Sequence, residues 1–286
     1  MLTAAADLIG DPDDVLVRRL GVDEHRYRSV RFFRDTHGGW RRYEPWMTTL
    51  VDADSGRVLG VVDGRDSAGV GAWLAARSPA WRAAVEVVAI DPSAAFRKAL
   101  REQLPAAAVS VDPFHLVKLA NDVVTEVRQR VIREAKGRRG RGIDPAWTNR
   151  RLLLRAGNTL SPRALARLKA TLRADDPTDE IGAAWGVKEQ LRRLLTSGSL
   201  AELEEHRMRL GAFVLTANIP ETDRLWATID TWWEAIEVLI VTGATNARTE
   251  AANTGIKQIK RTGRGYRNAA NYRARILLAS AARTAA

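Results

Sequence analysis

Two short apolar strands, each closed by an aspartate and each followed at once by a proline, constrain this chain most. AVEVVAID (84–91) ends in Asp91 before Pro92, and AAVSVD (107–112) ends in Asp112 before Pro113. Between them PSAAFRKALREQLP (92–105) reads as a helix, started by Pro92 or Ser93 and stopped by Pro105. After them PFHLVKLANDVVTEVRQRVIREAK (113–136) is a long amphipathic helix. Upstream, RRLGVDEH (18–25) is an apolar stretch that reaches acids at Asp23. PWMTTLVDADSGRVLGVVDG (45–64) reads as a hairpin turning at Asp54-Ser55-Gly56. SAGVGAWLAARS (67–78) has helical spacing with Ser67 as its N-cap. This order of strand, hairpin, helix, strand, helix and strand suits a mixed sheet with helices packed on it.

From 145 to about 238 only helical periodicity is visible, which reads as an insertion or a second lobe. The chain then closes with NARTEAANTGIKQIKR, a glycine-rich turn and a last helix. The resulting division is a lead-in over 1–17, an α/β first part over 18–116, a helical segment over 117–240 and a closing part over 241–286.

Composition removes several chemistries. The 286 residues include no cysteine, which excludes disulfides, thiol nucleophiles and Cys-type zinc sites. Only His25, His37, His115 and His206 remain as imidazoles, too few for a His-rich metal centre. No apolar run approaches the roughly 20 residues of a membrane span, and the acidic start lacks the basic region of a signal peptide. A cytoplasmic protein without a membrane partner is expected.

The net charge of +11 is not evenly spread. Residues 128–173 hold 14 Lys/Arg against Glu134 and Asp144. Residues 242–286 hold nine against Glu250 alone, so the remainder is net acidic. Segregation of this kind fits a polyanion, nucleic acid first. The basic loop with Arg138, Arg139 and Arg141 is one candidate DNA surface. Lys257, Lys260, Arg261, Arg264 and Arg267, following Glu250 on one helix and its turn, are another. Tyr266 in that turn either stacks on a base or packs against the sheet, and Arg65 either pairs with Asp63 or reaches the site.

Asp23, Asp91 and Glu250 are the acids placed to converge at a sheet edge, where ligands bind in open α/β sheets. Converging carboxylates bind hard divalent cations, and two such ions serve phosphoryl transfer. Each acid taken singly also reads as a cap or turn residue. Asp112 and His115 read either as a metal-adjacent pair or as a cap and a packed ring. Asn246 and Asn253 flank Glu250 and are placed to position DNA or a carboxylate.

At this point the residues resemble a family. LGVDEHRYR (20–28), VVDGRDSAGV (61–70), VEVVAIDPSAAF (85–96), VSVDPFHLVKLAN (109–121) and TNARTEAANTGIKQIKRTGRGYRN (245–268) are similar to the DDE-type transposases of bacterial insertion sequences, of the ISL (type three) family. The segments span nearly the whole chain in family order. The resemblance implies an RNase H-like α/β fold: a mixed five-stranded sheet, three strands antiparallel and two parallel, with flanking helices and a large all-helical insertion. It implies Asp23, Asp91 and Glu250 as catalytic and metal-binding acids, with two Mg2+ or Mn2+ ions as cofactors. Asp91 is preferred to Asp112 because its strand follows the hairpin and first helix, where this fold places the second acid. Asp112 and His115 match a supporting D-x-x-H element. The implied activity is metal-dependent cleavage and strand transfer of double-stranded DNA by a homodimer. The alternative is a truncated, inactive remnant that only binds DNA. Family members carry a zinc-binding and helix-turn-helix region before the first acid. That region is not expected here, since the first acid is Asp23 and cysteine is absent.

Overall fold

The computed structural model of the chain describes residues 9–284, so the first eight residues of the expected lead-in lie outside the described residues. The chain forms two compact units, one running to Asp112 and resuming at Gly243, the other comprising Pro113–Thr242.

The first unit is built on strands β1 (Arg19–Arg26), β2 (Arg31–Arg34), β3 (Trp40–Tyr43), β4 (Trp46–Asp52), β5 (Val58–Asp63), β6 (Val87–Ile90) and β7 (Ala108–Val111). Five of them form one sheet in the order β5-β4-β1-β6-β7. Strands β5, β4 and β1 are antiparallel neighbours, whereas β1, β6 and β7 run parallel. This is the RNase H-like arrangement of a mixed five-stranded sheet. β6 is buried along its whole length, as a central parallel strand requires. The turn between β4 and β5 falls where the hairpin was expected. The Asp52 carboxylate accepts the Asp54 N–H at 3.0 Å, and Gly56 takes the left-handed conformation at φ +77°.

Two features of this unit escape the sequence reading. Strands β2 and β3 pair as a separate two-stranded ribbon. A short helix, α2 (Pro79–Ala84), follows α1 (Ser67–Ala75). The cap of α1 is also Asp66 rather than Ser67: its side chain accepts the Gly69 N–H at 2.9 Å. Helix α3 (Ala94–Gln103) is capped by Ser93 and packs with α1.

The second unit is all helical: α4 (Pro113–Lys136), α5 (Pro145–Thr148), α6 (Arg150–Leu154), α7 (Pro162–Asp175), α8 (Glu180–Leu194), α9 (Leu200–Ala217), α10 (Pro220–Thr231) and α11 (Trp233–Thr242). Val124, Val127 and Val131, three and four residues apart on α4, form one core stripe with Leu153, Leu168, Ile181 and Ala184. Arg130 of α4 clamps Glu221 at 2.8 Å and Glu180 at 2.5 Å.

Helices α12 (Ala247–Thr262) and α13 (Ala269–Thr284) return to the first unit. Ile256, Tyr272 and Ile276 seat them on Met47, Val51 and Val61 of the sheet. Gly60, next to Val61 and therefore on the opposite face, lies under Trp73 of α1. Helices thus cover both faces of the sheet. Among the described residues no helix is long and apolar enough to cross a membrane.

Candidate active site

The register of the parallel strands creates the site. Val22 of β1 lies opposite Ile90 of β6, and Ile90 opposite Val111 of β7. The next residue of each strand is an acid, so Asp23, Asp91 and Asp112 stand in a row at the carboxyl edge of the parallel ladder. Strand β1 itself continues to Arg26 along β4. Asp23 therefore lies inside β1, not at its end, but at the end of its pairing with β6.

Carboxylate oxygens of Asp23, Glu24 and Asp91 all lie within 4.8 Å of one another. Asp91 and Asp112 also approach within that distance. Glu24 was not singled out from the sequence, because alternation along a strand assigns it the face opposite Asp23.

Helix α12 lies across these acids and is held by two buried asparagines. Asn246, its N-cap residue, donates through Nδ2 to the Val22 carbonyl at 3.1 Å and to Asp91 Oδ1 at 3.2 Å. Asn253 donates through Nδ2 to Asp23 Oδ2 at 2.7 Å. Glu250 lies four residues after Asn246 and three before Asn253, hence on the same helical face. It is half-buried and lies outside the 4.8 Å acid cluster.

The close seat of α12 depends on Gly21. A Cβ there would stand 1.9 Å from Thr249 Oγ1, which no packing tolerates. Gly21 is thus the strand position where the helix backbone can come near enough for Asn246 and Asn253 to reach the acids.

A polar chain runs behind Asp23. The Thr49 hydroxyl donates to Asn253 Oδ1 at 3.0 Å, and His25 Nδ1 lies 3.0 Å from the Thr49 oxygen. Since the single Thr49 proton goes to Asn253, His25 must donate through Nδ1–H. Its Nε2 is buried without a partner, and the ring meets Tyr272 edge-on at 5.9 Å. Burial, aided by Lys260 and Lys257, pulls the His25 imidazole down to about 4, so it is neutral at pH 7.

The basic residues distribute unequally. Tyr27, Arg28 and Arg31 with Lys257, Lys260, Arg261, Arg264 and Arg267 line a cleft of about 740 Å³ whose described lining contains no acid. Helix α12 ends at Thr262, so Arg264 lies in the following turn rather than on the helical face, and Arg267 lies beyond the helix, where the turn was expected. Arg264 itself is left-handed, at φ +53°. Lys260 donates to the Arg26 carbonyl at 2.8 Å, and burial followed by Lys257 and Arg26 lowers its pKa. The Tyr266 carbonyl accepts Tyr27 Oη at 2.9 Å and Arg28 Nε at 2.8 Å, while its ring packs on Tyr272 at 5.0 Å. Arg65 neither pairs with Asp63 nor joins the acids: it stacks over Trp46 at 4.8 Å, and Asp63 is bound by Arg273.

In the helical unit, Arg138 grips the buried Asp144, which Lys136 also binds at 3.0 Å, and so serves the loop's own structure. Arg139 and Arg141 are exposed. His115 sits half-buried in the first turn of α4, edge-on to Phe114 at 5.6 Å.

A family model of the DDE transposases of the ISL3 type, described as "Transposase", matches residues 20–276. Transposases for insertion sequence element IS1557 from two strains of Mycobacterium tuberculosis are 26% identical over 275 residues, covering 88% of this chain. The chain spans 57% of the length of those relatives. A chain of the Drosophila P element transposase strand transfer complex is similar over 99% of this chain and 80% of its own length, with 13% identity and a TM-score of 0.45. With the family match running from β1 into α13, the chain belongs to the ISL3 family of DDE transposases.

Proposed function

We propose that the first unit is the catalytic core of an insertion-sequence transposase that cleaves and rejoins double-stranded DNA with divalent metal ions. One observation carries this reading. Asp23 and Asp91 meet at the end of a parallel ladder, and each is bound by an asparagine of the helix that bears Glu250.

The donor set fits hard cations. It consists of carboxylate oxygens alone, without thiolate or imidazole in the Asp23, Glu24 and Asp91 cluster, which suits Mg2+ or Mn2+. Asp23, Asp91 and Glu250 would hold two such ions, with Asp112 in support. Bound there, such ions would supply charge neutralisation at the phosphate and a more acidic water or 3′-hydroxyl.

The chain's own residues do the rest. Asn246 and Asn253 fix the rotation of the two aspartates, as outer-shell partners orient ligand carboxylates. Gly21 permits the approach that brings them there. Lys257, Arg261, Arg264 and Arg267 give the phosphate backbone a cationic track on the helix that bears Glu250 and its turn, and the exposed Arg139 and Arg141 give the helical unit a cationic surface of its own. The helical segment is an insertion between the last strand and the final catalytic helix.

Cleavage of an end-labelled duplex in Mg2+ or Mn2+ tests the proposal. Cleavage should require the metal and disappear in both Asp23→Ala and Glu250→Ala. Binding without cleavage under every metal condition would instead describe a protein that only holds DNA.

A further inference from the structure

The ribbon of β2 and β3 has no place in the site above, and its side chains are unusual. Its register pairs Arg31 with Tyr43, Phe32 with Arg42, Phe33 with Arg41 and Arg34 with Trp40. Every cross-strand pair therefore sets one arginine opposite one aromatic ring. All eight residues are exposed: Phe32 by 60%, Phe33 by 50%, Trp40 by 67% and Tyr43 by 52%. An isolated two-stranded ribbon with both faces in solvent has little to hold it and no core to serve. Cross-strand contacts such as Phe33–Tyr43 steady the ribbon, but its rings are buried in no core.

Alternation gives each face two rings and two guanidiniums. Phe32 and Trp40 share one face with Arg34 and Arg42, and Arg34 stacks over Trp40 at 5.1 Å. Phe33 and Tyr43 share the other, their rings 6.2 Å apart. The single acid of residues 31–43, Asp35, is turned into the tip, where it accepts the N–H groups of His37 at 2.9 Å and Gly39 at 2.8 Å. Arg42 is paired with Glu44 just beyond the ribbon, at 2.6 Å, so the flat faces present rings together with the positive charge of Arg31, Arg34 and Arg41. At its base the ribbon is continuous with the cationic cleft, which Arg31 itself lines beside Arg264.

We propose that this ribbon docks unpaired DNA, with bases stacked on its exposed rings and phosphates on the neighbouring guanidiniums. The rings decide between single strand and duplex. Guanidiniums alone suffice for a paired backbone, whereas rings are useful only where base faces are open. The charge decides against a protein partner. Arginine and aromatics also suit protein interfaces, but a cationic surface running into a cationic cleft calls for a polyanion. The proposal rests on DNA being the substrate, which binding of the unaltered chain to a blunt duplex tests separately.

The test is fluorescence anisotropy of the full chain with labelled oligothymidylate and with a blunt duplex of equal length. Phe32→Ala/Trp40→Ala and Phe33→Ala/Tyr43→Ala each strip one face and remove no buried side chain. At least one of them should lose about tenfold in affinity for oligothymidylate, as one lost stack implies, and change duplex affinity less than about twofold. Trp40→Phe, which keeps a ring, should retain most of the single-strand affinity. Unchanged oligothymidylate binding in both double variants would overturn the proposal. So would equal losses on both DNAs, loss in Trp40→Phe as large as in the alanine variant, or a change confined to the oligomeric state.

Discussion

Asn253 donates its side-chain amide to Asp23 at 2.7 Å, joining residues 230 positions apart in the chain. The other end of the same amide accepts the Thr49 hydroxyl at 3.0 Å, so the amide has one orientation. Asn246 binds Asp91 from the same helix. The helix bearing Glu250 is thus attached to Asp23 and Asp91 through two asparagine side chains.

Asn253→Asp should damage activity more than stability. It replaces the donor with a second carboxylate against Asp23. Nicking should fall by about 10- to 100-fold, the usual effect of losing an outer-shell partner, with a raised Mn2+ requirement. A metal titration of nicking, beside a thermal melt, separates this from unfolding.

Gly21→Ala should loosen α12. The added methyl would meet Thr249 Oγ1 at 1.9 Å. A cost of about 1–3 kcal/mol is expected from such overpacking. Thr249→Ala in the same chain removes the colliding atom and leaves Asn246 Oδ1 at 3.2 Å and the Cβ of residue 249 at 3.3 Å as the nearest atoms. The double variant should recover much of the loss in urea unfolding, which a defect in β1 itself would not.

His25 should make the metal-free protein acid-sensitive. Its folded pKa of about 4 lies below the ordinary 6.5. Between these values the unfolded chain binds the proton and the folded chain does not, so stability falls as pH drops from 6.5 towards 4. The loss attributable to His25 between pH 7 and pH 5 is about 2 kcal/mol. Urea unfolding in chelator at both pH values should show a smaller difference for His25→Gln.

Lys188 in the helical unit is fully buried, with Nζ bound to the Leu153 carbonyl at 2.6 Å, the Arg155 carbonyl at 2.8 Å and Glu189 at 2.7 Å. Lys188→Met fills the space but leaves these acceptors without their cation. A loss of about 3–5 kcal/mol is expected from breaking a buried pair. Adding Glu189→Gln should return part of it in thermal unfolding.

Strands β1, β4, β5, β6 and β7 were legible because each has an apolar face or a fully apolar run, and glycine, proline or an acid marks its end. The β2–β3 ribbon was not, since alternating arginine with aromatics leaves no apolar face to betray period two. Asp23 and Asp91 stood out as acids closing apolar stretches, and Glu250 as the one acid in the basic stretch 242–286. Their geometry did not, because the registers Val22–Ile90 and Asp23–Thr49 join distant segments. Glu24 was hidden by strand alternation, and the structural use of Arg138 by an acid six residues away that sequence alone does not orient.

The most direct measurement is nicking of supercoiled plasmid in Mg2+ or Mn2+, with the unaltered chain beside Asp91→Ala. The account predicts nicking by the former, none by the latter, and none by either in chelator. Equal nicking by both, or none by the unaltered chain while it still binds the plasmid, would contradict it.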